Sequence, residues 1–142
     1  MDPAKAITIV LNRSAISNQR ADSAILNFFR EEDKRRLGGR YYEKHHSVRS
    51  MALLAPEKFR DGHPHYHGLI RLPPEYRFAD GLEQYQASLS NSFDQVFAGS
   101  SIRLSDMTAP EGWIGYASKE TDLLGGEGTL FTHLHISPKA FA

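Results

Sequence analysis

The segment His-Pro-His-Tyr-His-Gly-Leu-Ile, residues 63–70, constrains the fold of this chain more than any other stretch. Successive side chains of a β-strand point to opposite faces, so a strand over residues 65–72 puts His65 and His67 on one face. The opposite face is mostly apolar and carries Tyr66, Gly68, Ile70 and Leu72. Neutral imidazole is the commonest metal ligand, so the two histidines predict two coordination positions of a divalent metal.

The size and composition of the chain predict one globular domain over residues 1–142. A chain of 142 residues, with 40% hydrophobic and 24% charged residues, is long enough for a two-layer core. It has no cysteine, which excludes disulfides, Cys-based zinc sites and thiol nucleophiles. Neither a signal peptide nor a transmembrane run is recognisable, so we expect a cytoplasmic protein with no membrane partner.

The formal charge is zero, but it is unevenly distributed along the chain. Residues 1–71 contain 13 Lys and Arg against 8 Asp and Glu, a charge of +5, whereas residues 72–142 contain 4 against 9, a charge of −5. A positive field confined to one half could steer a polyanion toward one face. Chance segregation on solvated surfaces explains the same distribution, so the sequence leaves both interpretations open.

The first half of the chain reads as strand, helix, strand and strand. Residues 6–11 are β-branched and apolar, typical of a strand buried on both sides. Apolar residues at helical spacing predict a helix from Gln19 through the charged run 30–36, with Gly38-Gly39 ending it and Ser17 or Asn18 capping it. Residues 40–46 are ambiguous between strand and loop. Residues 48–55 predict a strand that Pro56 stops, antiparallel to residues 65–72.

The second half reads as helix, strand and helix. Asp80 and Glu83 form a capping-box pattern before a helix that ends near residues 98–99. Residues 101–104 predict a short strand, and residues 108–124 a last helix with Pro110 in its first turn. This order predicts an α+β fold, an antiparallel sheet with helices packed on one face, of the ferredoxin-like kind.

Glu57 is the candidate for a third metal ligand. It ends the strand before the hairpin, so antiparallel pairing would bring it close to His65 and His67. Two imidazoles and a carboxylate, with positions open for water and substrate oxygens, suit Mg²⁺ or Mn²⁺ and would also bind Zn²⁺, Co²⁺ or Ni²⁺. His63 could replace Glu57, and Asp61 is a weaker substitute.

Tyr116 and Lys119 are candidate catalytic residues on the last predicted helix. Residues three apart lie on the same helical face, so both side chains can address one site. A phenol is a weak nucleophile near its ordinary pKa of about 10, and a metal and a cationic neighbour would activate it toward a phosphate. The alternative is a core tyrosine, because Trp113 and Ala117 share much of that side.

Together these motifs resemble the HUH endonucleases, and among them the single-tyrosine replication initiators of the Rep class. The strand motif is residues 7–12 (ITIVLN), the histidine motif is Glu57 with residues 63–68 (HPHYHG), and the tyrosine motif is residues 115–119 (GYASK). They span residues 7–119 in the order of the family. The histidine motif is fairly specific, the tyrosine motif moderately so, and the strand motif weakly.

The resemblance implies an HUH nuclease fold, ferredoxin-like or RRM-like, that nicks and rejoins single-stranded DNA at a specific site. Tyr116 would form a 5′-phosphotyrosine, Lys119 would assist it, and His65, His67 and Glu57 would hold Mn²⁺ or Mg²⁺. The reaction would initiate rolling-circle replication of a plasmid or virus-like replicon, with origin or hairpin DNA as the partner. The sequence has no helicase segment like that of larger Rep proteins, so the chain is either a small stand-alone protein or an excised nuclease domain, and a helicase encoded by the host or the replicon is a further candidate partner.

Other assignments remain open. Tyr41 and Tyr42 are rival nucleophiles, since relaxases place the tyrosine before the histidines and residues 133–135 repeat the His-x-His pattern. Stacking and cationic groups typical of single-strand binding predict DNA contacts at Arg40, Tyr42 and Arg49, and Asn12 and His63 are further candidate DNA contacts. The alternative functions are a single-tyrosine HUH transposase and a metal- or nucleic-acid-binding module without catalysis.

Overall fold

The computed structural model describes residues 4–12, 17–57, 63–106 and 130–131, and it is α+β as the sequence predicts. Within these ranges, two helices and five strands follow one another along the chain: β1 (Ala4–Val10), α1 (Asn18–Leu37), β2 (Met51–Glu57), β3 (His65–Arg71), α2 (Gly81–Val96), β4 (Ser101–Ser105) and β5 (Leu130–Phe131). None of the described helices is long and apolar enough to cross a membrane.

The five strands form one antiparallel sheet in the order β4-β1-β3-β2-β5. Strand β3 lies between β1 and β2, although β1 is separated from it in sequence by α1 and β2. Strand β4 pairs with the other side of β1, and β5 pairs with Leu53 and Leu54 of β2. The first four strands with their two helices thus form the split β-α-β pattern.

Helix α1 has a clear signal at each end, and the structure confirms both. The Ser17 hydroxyl accepts a hydrogen bond from the Arg20 amide at 3.2 Å, which satisfies an otherwise unpaired donor of the first turn. At the other end Gly38 adopts a φ of +93° and its amide donates to the Lys34 carbonyl. A residue without a Cβ is favoured at that positive φ, so the helix ends where the glycines begin.

Helix α2 is confirmed, but the predicted capping box at its start is wrong. Asp80 occupies the N-cap position without a side-chain hydrogen bond to the helix. Its φ and ψ of −100° and 14° are not extended, and Gly81 instead donates to the Phe78 carbonyl in a turn. An N-cap side chain reaches the first amides from an extended backbone, so this turn removes the geometry on which the pattern depends.

Both helices pack on one face of the sheet and build the core there. That core contains Ile25, Phe28 and Phe29 from α1, Tyr85, Leu89 and Phe93 from α2, and Ile7, Ile9, Leu54, Tyr66, Ile70 and Ile102 from the sheet. The rings of Phe28 and Phe93 meet edge to face, with their centroids 5.0 Å apart. Such a pair contributes about 1 kcal/mol beyond the burial of its area, and it joins the two helices directly.

Several strand predictions need correction. Strand β1 is not buried on both sides, because Thr8 is exposed between the buried Ile7 and Ile9. Strand β2 begins later than predicted and continues through Pro56, which lies opposite Tyr66. Proline is tolerated in a strand where its nitrogen, which has no hydrogen, is not required to donate to a neighbouring strand. The described part of β5 pairs with β2 only at residues 53 and 54, so it does not require a donor at Pro56.

Two further regions complete the comparison with the predicted elements. The ambiguous residues 40–46 do not form a strand: two short 3₁₀ turns, Tyr41–Glu43 and His46–Val48, lead into β2. The sequence did not predict β5, which is a two-residue strand without a periodic pattern of its own. The predicted helix over residues 108–124 lies outside the described residues.

Part of the outer edge of β4 is covered by side chains of α2, mainly by Gln86 and also by Ser90, whose hydroxyl donates to the Ile102 carbonyl at 3.4 Å. The amide group of Gln86 donates to the Ile102 carbonyl at 2.6 Å and accepts from the Leu104 amide. It also donates to the Ser90 hydroxyl at 2.5 Å. These are the backbone groups that a further strand would use, so Gln86 blocks pairing at part of this edge.

Gly68 is expected to be essential for the pairing of β2 with β3. A Cβ built on Gly68 would lie 1.9 Å from the Leu53 carbonyl oxygen, a backbone atom that cannot move without displacing β2. We expect Gly68→Ala to lower the free energy of unfolding by about 3 kcal/mol, as overpacked cores do.

Urea denaturation measures this change, with Gly39→Ala as the matched control. A Cβ on Gly39 would meet no atom within 4 Å, so that variant is expected to stay within about 0.5 kcal/mol of the unsubstituted protein. Equal unfolding free energies for the two variants would contradict the close backbone contact at Gly68.

Candidate functional site

His65 and His67 lie on the sheet face opposite the two helices, which we call the histidine face. It comprises the described positions that alternate with the core residues: Ala6, Thr8, Val10, Met51, Leu53, Ala55, Glu57, His65, His67, Leu69, Arg71, Ser101, Arg103 and Ser105. His65 is half-buried and His67 is buried, with 8% of its surface exposed. Their Cα atoms are about 6.7 Å apart along the strand, so two imidazoles can converge on one ion.

The register places Glu57 beside the histidine pair. Glu57 is directly opposite His65 in the ladder of β2 and β3, and Ala55 is opposite His67. Directly opposite residues of antiparallel strands share a face, with Cβ atoms about 5 Å apart. The carboxyl group of Glu57 lies outside what the structure describes. Among the described side chains, no group of three His, Asp or Glu that could hold a metal is present.

Two other predicted residues, Asn12 and His63, lie at the same end of the sheet. The Leu11 amide, one residue before Asn12, donates to the carbonyl of Pro64, one residue after His63, at 2.9 Å. Asn12 is exposed, and its backbone amide donates to the Ser100 hydroxyl at 2.8 Å. His63 is half-buried. The structure therefore brings Asn12, His63, His65 and the backbone of Glu57 together, whereas Asp61 lies outside the described residues.

The remaining predicted DNA contacts, Arg40, Tyr42 and Arg49, lie at the opposite end of the sheet. They belong to the connection into β2, whose first residue, Met51, pairs with Arg71. Arg71 is six residues from His65 along β3, which corresponds to roughly 20 Å. Tyr42 is 61% exposed, Arg40 is exposed and pairs with Glu43, and Arg49 is buried. The structure does not bring these three residues, or Tyr41, together with His65 and His67.

Four of the 13 cationic residues in the first half of the chain form ion pairs within the described residues: Lys5, Arg35, Arg36 and Arg40. Arg36 bonds to the buried Asp33 and to Glu75, and it donates to the Val48 carbonyl at 2.9 Å. Arg35 pairs with Glu32 at 2.7 Å. The first cluster also ties the end of α1 to the connection that enters β2, so these arginines stabilise the fold and do not form an open basic patch.

The predicted nucleophile Tyr116 and its neighbour Lys119 lie outside the described residues. The rival His-x-His pair, His133 and His135, lies outside them as well. These residues therefore stay predictions, and the described site consists of the histidine face and the chain around its end.

Tyr66, between the two histidines in sequence, anchors β3 on the core side. It is 1% exposed, and its hydroxyl donates a hydrogen bond to the Asp22 carboxylate in the first turns of α1. Burial raises the pKa of Tyr66 far above its ordinary value of about 10, and the hydrogen bond to Asp22 raises it further. The phenol is therefore a fixed donor, which holds the histidine strand against α1.

The register also identifies two residues that the sequence did not single out, Thr8 and Arg103. Thr8 pairs with His67 on one side and with Arg103 on the other, so the three form one row across β3, β1 and β4. Both Thr8 and Arg103 are exposed. Alternation within β1 and β4 separates them from the core positions, but only the strand order shows that they share a face with the histidines.

Comparison with protein-family models, with curated proteins and with solved structures finds no match to this chain in any of the three. The arguments about its function therefore rest on its own residues.

Tyr66→Phe is expected to destabilise the protein at neutral pH and to reduce its sensitivity to alkali. At about pH 8 the variant loses a hydrogen bond to a charged group, which costs roughly 1.5–3 kcal/mol. Because the native pKa is raised, only the unfolded state releases the Tyr66 proton above about pH 10, so this contribution to stability is lost as the pH rises.

Urea denaturation at about pH 8 and about pH 11 measures both effects. The difference in unfolding free energy between the two pH values should be smaller for Tyr66→Phe than for the unsubstituted protein. Tyr42→Phe, which removes the hydroxyl of an exposed ring, is expected to leave both values nearly unchanged. If the unfolding free energy falls by the same amount between the two pH values in Tyr66→Phe and in the unsubstituted protein, the raised pKa of Tyr66 is contradicted.

Proposed function

We propose that this protein is a metal-dependent endonuclease of the HUH type, which nicks and rejoins single-stranded DNA through a tyrosine, as a replication initiator of the Rep class does. The observation that carries the proposal is the register of the central strand. His65 and His67 share one sheet face, and Glu57 stands directly opposite His65. The three residues that the histidine motif predicts as ligands therefore meet at one end of the sheet.

The topology supports the finer fold assignment. An antiparallel sheet with the split β-α-β pattern, and with both described helices on one face, is the arrangement expected of a ferredoxin-like HUH nuclease domain. The opposite face carries the histidines near one end of its central strand, which is paired on both sides. In this proposal that face is the catalytic surface, and the core face is purely structural.

The donor set fits a divalent metal. Imidazoles two residues apart on a strand can bind one ion, and the position of Glu57 allows a carboxylate to complete a facial set of three. His65, His67 and Glu57 would hold Mn²⁺ or Mg²⁺. When bound, the ion would polarise a phosphoryl oxygen and offset the negative charge that develops during phosphoryl transfer. Tyr66 fixes the orientation of the strand that bears both imidazoles through its bond to Asp22.

Tyr116 would carry out the nicking step. Its phenolic oxygen forms a bond to the phosphorus as the bond from phosphorus to the 3′-oxygen breaks, which leaves a 5′-phosphotyrosine. The phenol loses its proton to solvent and the departing 3′-oxygen gains one, so no oxidant or further reactant is required. Lys119 would supply positive charge beside the tyrosine. Attack of a 3′-hydroxyl on the phosphotyrosine reverses the step and rejoins the strand.

We expect Mn²⁺ binding to depend on the histidine pair. Titration calorimetry of the unsubstituted protein should show one site, and His65→Ala and His67→Ala should each weaken binding at least tenfold, because each removes a ligand. His45→Ala is the matched control, since His45 is exposed at the other end of the sheet. Binding that is as tight in both ligand variants as in His45→Ala would rule out this metal site.

We expect Tyr116→Phe to abolish covalent capture of DNA. A pool of end-labelled single-stranded oligonucleotides of random sequence, incubated with Mn²⁺ and run on a denaturing gel, should give a protein–DNA adduct, and sequencing of the captured DNA gives the nick site. Tyr116→Phe loses the attacking oxygen and should give no adduct.

Tyr42→Phe provides the matched control, because it removes another tyrosine hydroxyl that the structure places far from the histidines. It should form the adduct at the unsubstituted rate. An adduct that persists in Tyr116→Phe and disappears in Tyr42→Phe would overturn the assignment of the nucleophile.

A further inference from the structure

We propose that the exposed half of the histidine face, on β1 and β4, binds the phosphate backbone of the DNA strand next to the metal site, and that Arg103 makes the main contact. This inference rests on the proposed function and adds to it the direction from which the substrate approaches. It assigns Arg103, a residue in the acidic half of the chain, to substrate binding.

Arg103 stands in line with His67 across the sheet. Arg103 is directly opposite Thr8, and Thr8 is directly opposite His67, so the three Cβ atoms lie in one row across β4, β1 and β3. In the next row, Ser101, Val10, His65 and Glu57 follow each other in the same order. Directly opposite side chains of antiparallel strands are in contact range. The Thr8 hydroxyl and the Arg103 guanidinium therefore continue the polar surface from His67 across β1 to β4.

Solvent exposure divides the histidine face into two halves. On the side of β2 and β3, Met51, Ala55 and Leu69 are buried. On the side of β1 and β4, Thr8, Arg103 and Ser105 are exposed. His67 lies at the boundary between the halves, and half-buried His65 lies beside it. A long substrate can therefore reach the histidines over β1 and β4.

Arg103 differs from several other arginines of the chain in its ion pairing. Arg35, Arg36 and Arg40 each bond to a carboxylate, whereas Arg103 takes part in no ion pair within the described part of the chain. The next acidic residue after it, Asp106, is held by Lys5 at 2.6 Å. The guanidinium of Arg103 can thus contact a phosphate, for which its planar donors are suited, without breaking an ion pair to any described residue.

The spacing indicates which phosphate it would meet. Arg103 and His67 lie two strands apart, which corresponds to roughly 10 Å between their backbones. A metal at His65 and His67 would hold the scissile phosphate, so Arg103 is placed to contact a neighbouring phosphate of the same strand. Such a contact would strengthen binding of any sequence, because it reads the backbone and not the bases.

Salt-dependent binding tests this contact without requiring cleavage. The probe is a fluorescent oligothymidylate, added to the 142-residue protein in EDTA, and anisotropy gives the dissociation constant over a range of NaCl concentrations. Each phosphate contact to a single strand contributes about 0.7 to the slope of log K against log salt concentration. Arg103→Ala should weaken binding and reduce the slope by about 0.7, whereas Arg103→Lys, which keeps the charge, should retain the slope.

Arg30→Ala is the matched control, since Arg30 is exposed on α1, away from the histidine face. It should leave the slope unchanged. The proposal is overturned if the Arg103→Ala slope equals that of the unsubstituted protein, if Arg30→Ala reduces the slope as much, or if the unsubstituted protein shows no binding at low salt. Circular dichroism checks that each variant is folded.

The outcome separates this inference from the proposed function. A reduced slope in Arg103→Ala, from a protein that forms no adduct with Mn²⁺ and the random pool, would support the phosphate contact and remove the nicking reaction. An unchanged slope in a protein that does form the adduct would remove the Arg103 contact and leave the nicking reaction in place.

Discussion

The structure depends on the pairing of β3 with two strands at once. Strand β3 lies between β1 and β2, and its register with each of them decides which residues share a face with the histidines. A shift of one residue in either ladder would move Thr8 or Glu57 to the core side. The close approach of Gly68 to the Leu53 carbonyl and the bond from Tyr66 to Asp22 both act against such a shift. One well-defined register therefore underlies both the core and the candidate site.

The sequence predicted the local features of this arrangement well. Alternation within residues 65–72 correctly separated His65 and His67 from Tyr66 and Ile70, and helical spacing gave α1 and α2 nearly to their ends. It also placed Glu57 across the hairpin from the histidines, where the backbone of β2 confirms its position. These features depend on neighbours a few residues apart, or on a hairpin of adjacent strands, so a pattern along the chain contains them.

What the sequence could not predict depends on contacts between distant segments. Arg103 joins Thr8 and His67 only because β4 pairs with β1, about 95 residues away, and nothing in the run Ser101–Ser105 specifies that partner. The charge asymmetry between the halves does not by itself locate a charged face, for the same reason. The three strands of the first half form the centre of the sheet between β4 and β5 of the second half, and pairs such as Lys5 with Asp106 and Arg36 with Glu75 join one half to the other. Composition predicted Arg40, Tyr42 and Arg49 as DNA contacts, but the fold places them at the end of the sheet opposite to His65 and His67.

Because Gln86 bonds to backbone groups of the edge strand β4, the residues of β4 do not have to block strand addition at these positions themselves. Proteins commonly prevent strand addition at a sheet edge with an inward lysine, a proline or a bulge, each of which changes the edge strand itself. In this fold a side chain from the neighbouring helix satisfies the Leu104 amide and the Ile102 carbonyl, so the sequence of β4 carries no such device at these positions. Resistance to self-association is therefore separated from the choice of residues on the open face. If Arg103 contacts a phosphate as proposed, position 103 can change with the substrate without exposing the Leu104 amide and the Ile102 carbonyl to another strand.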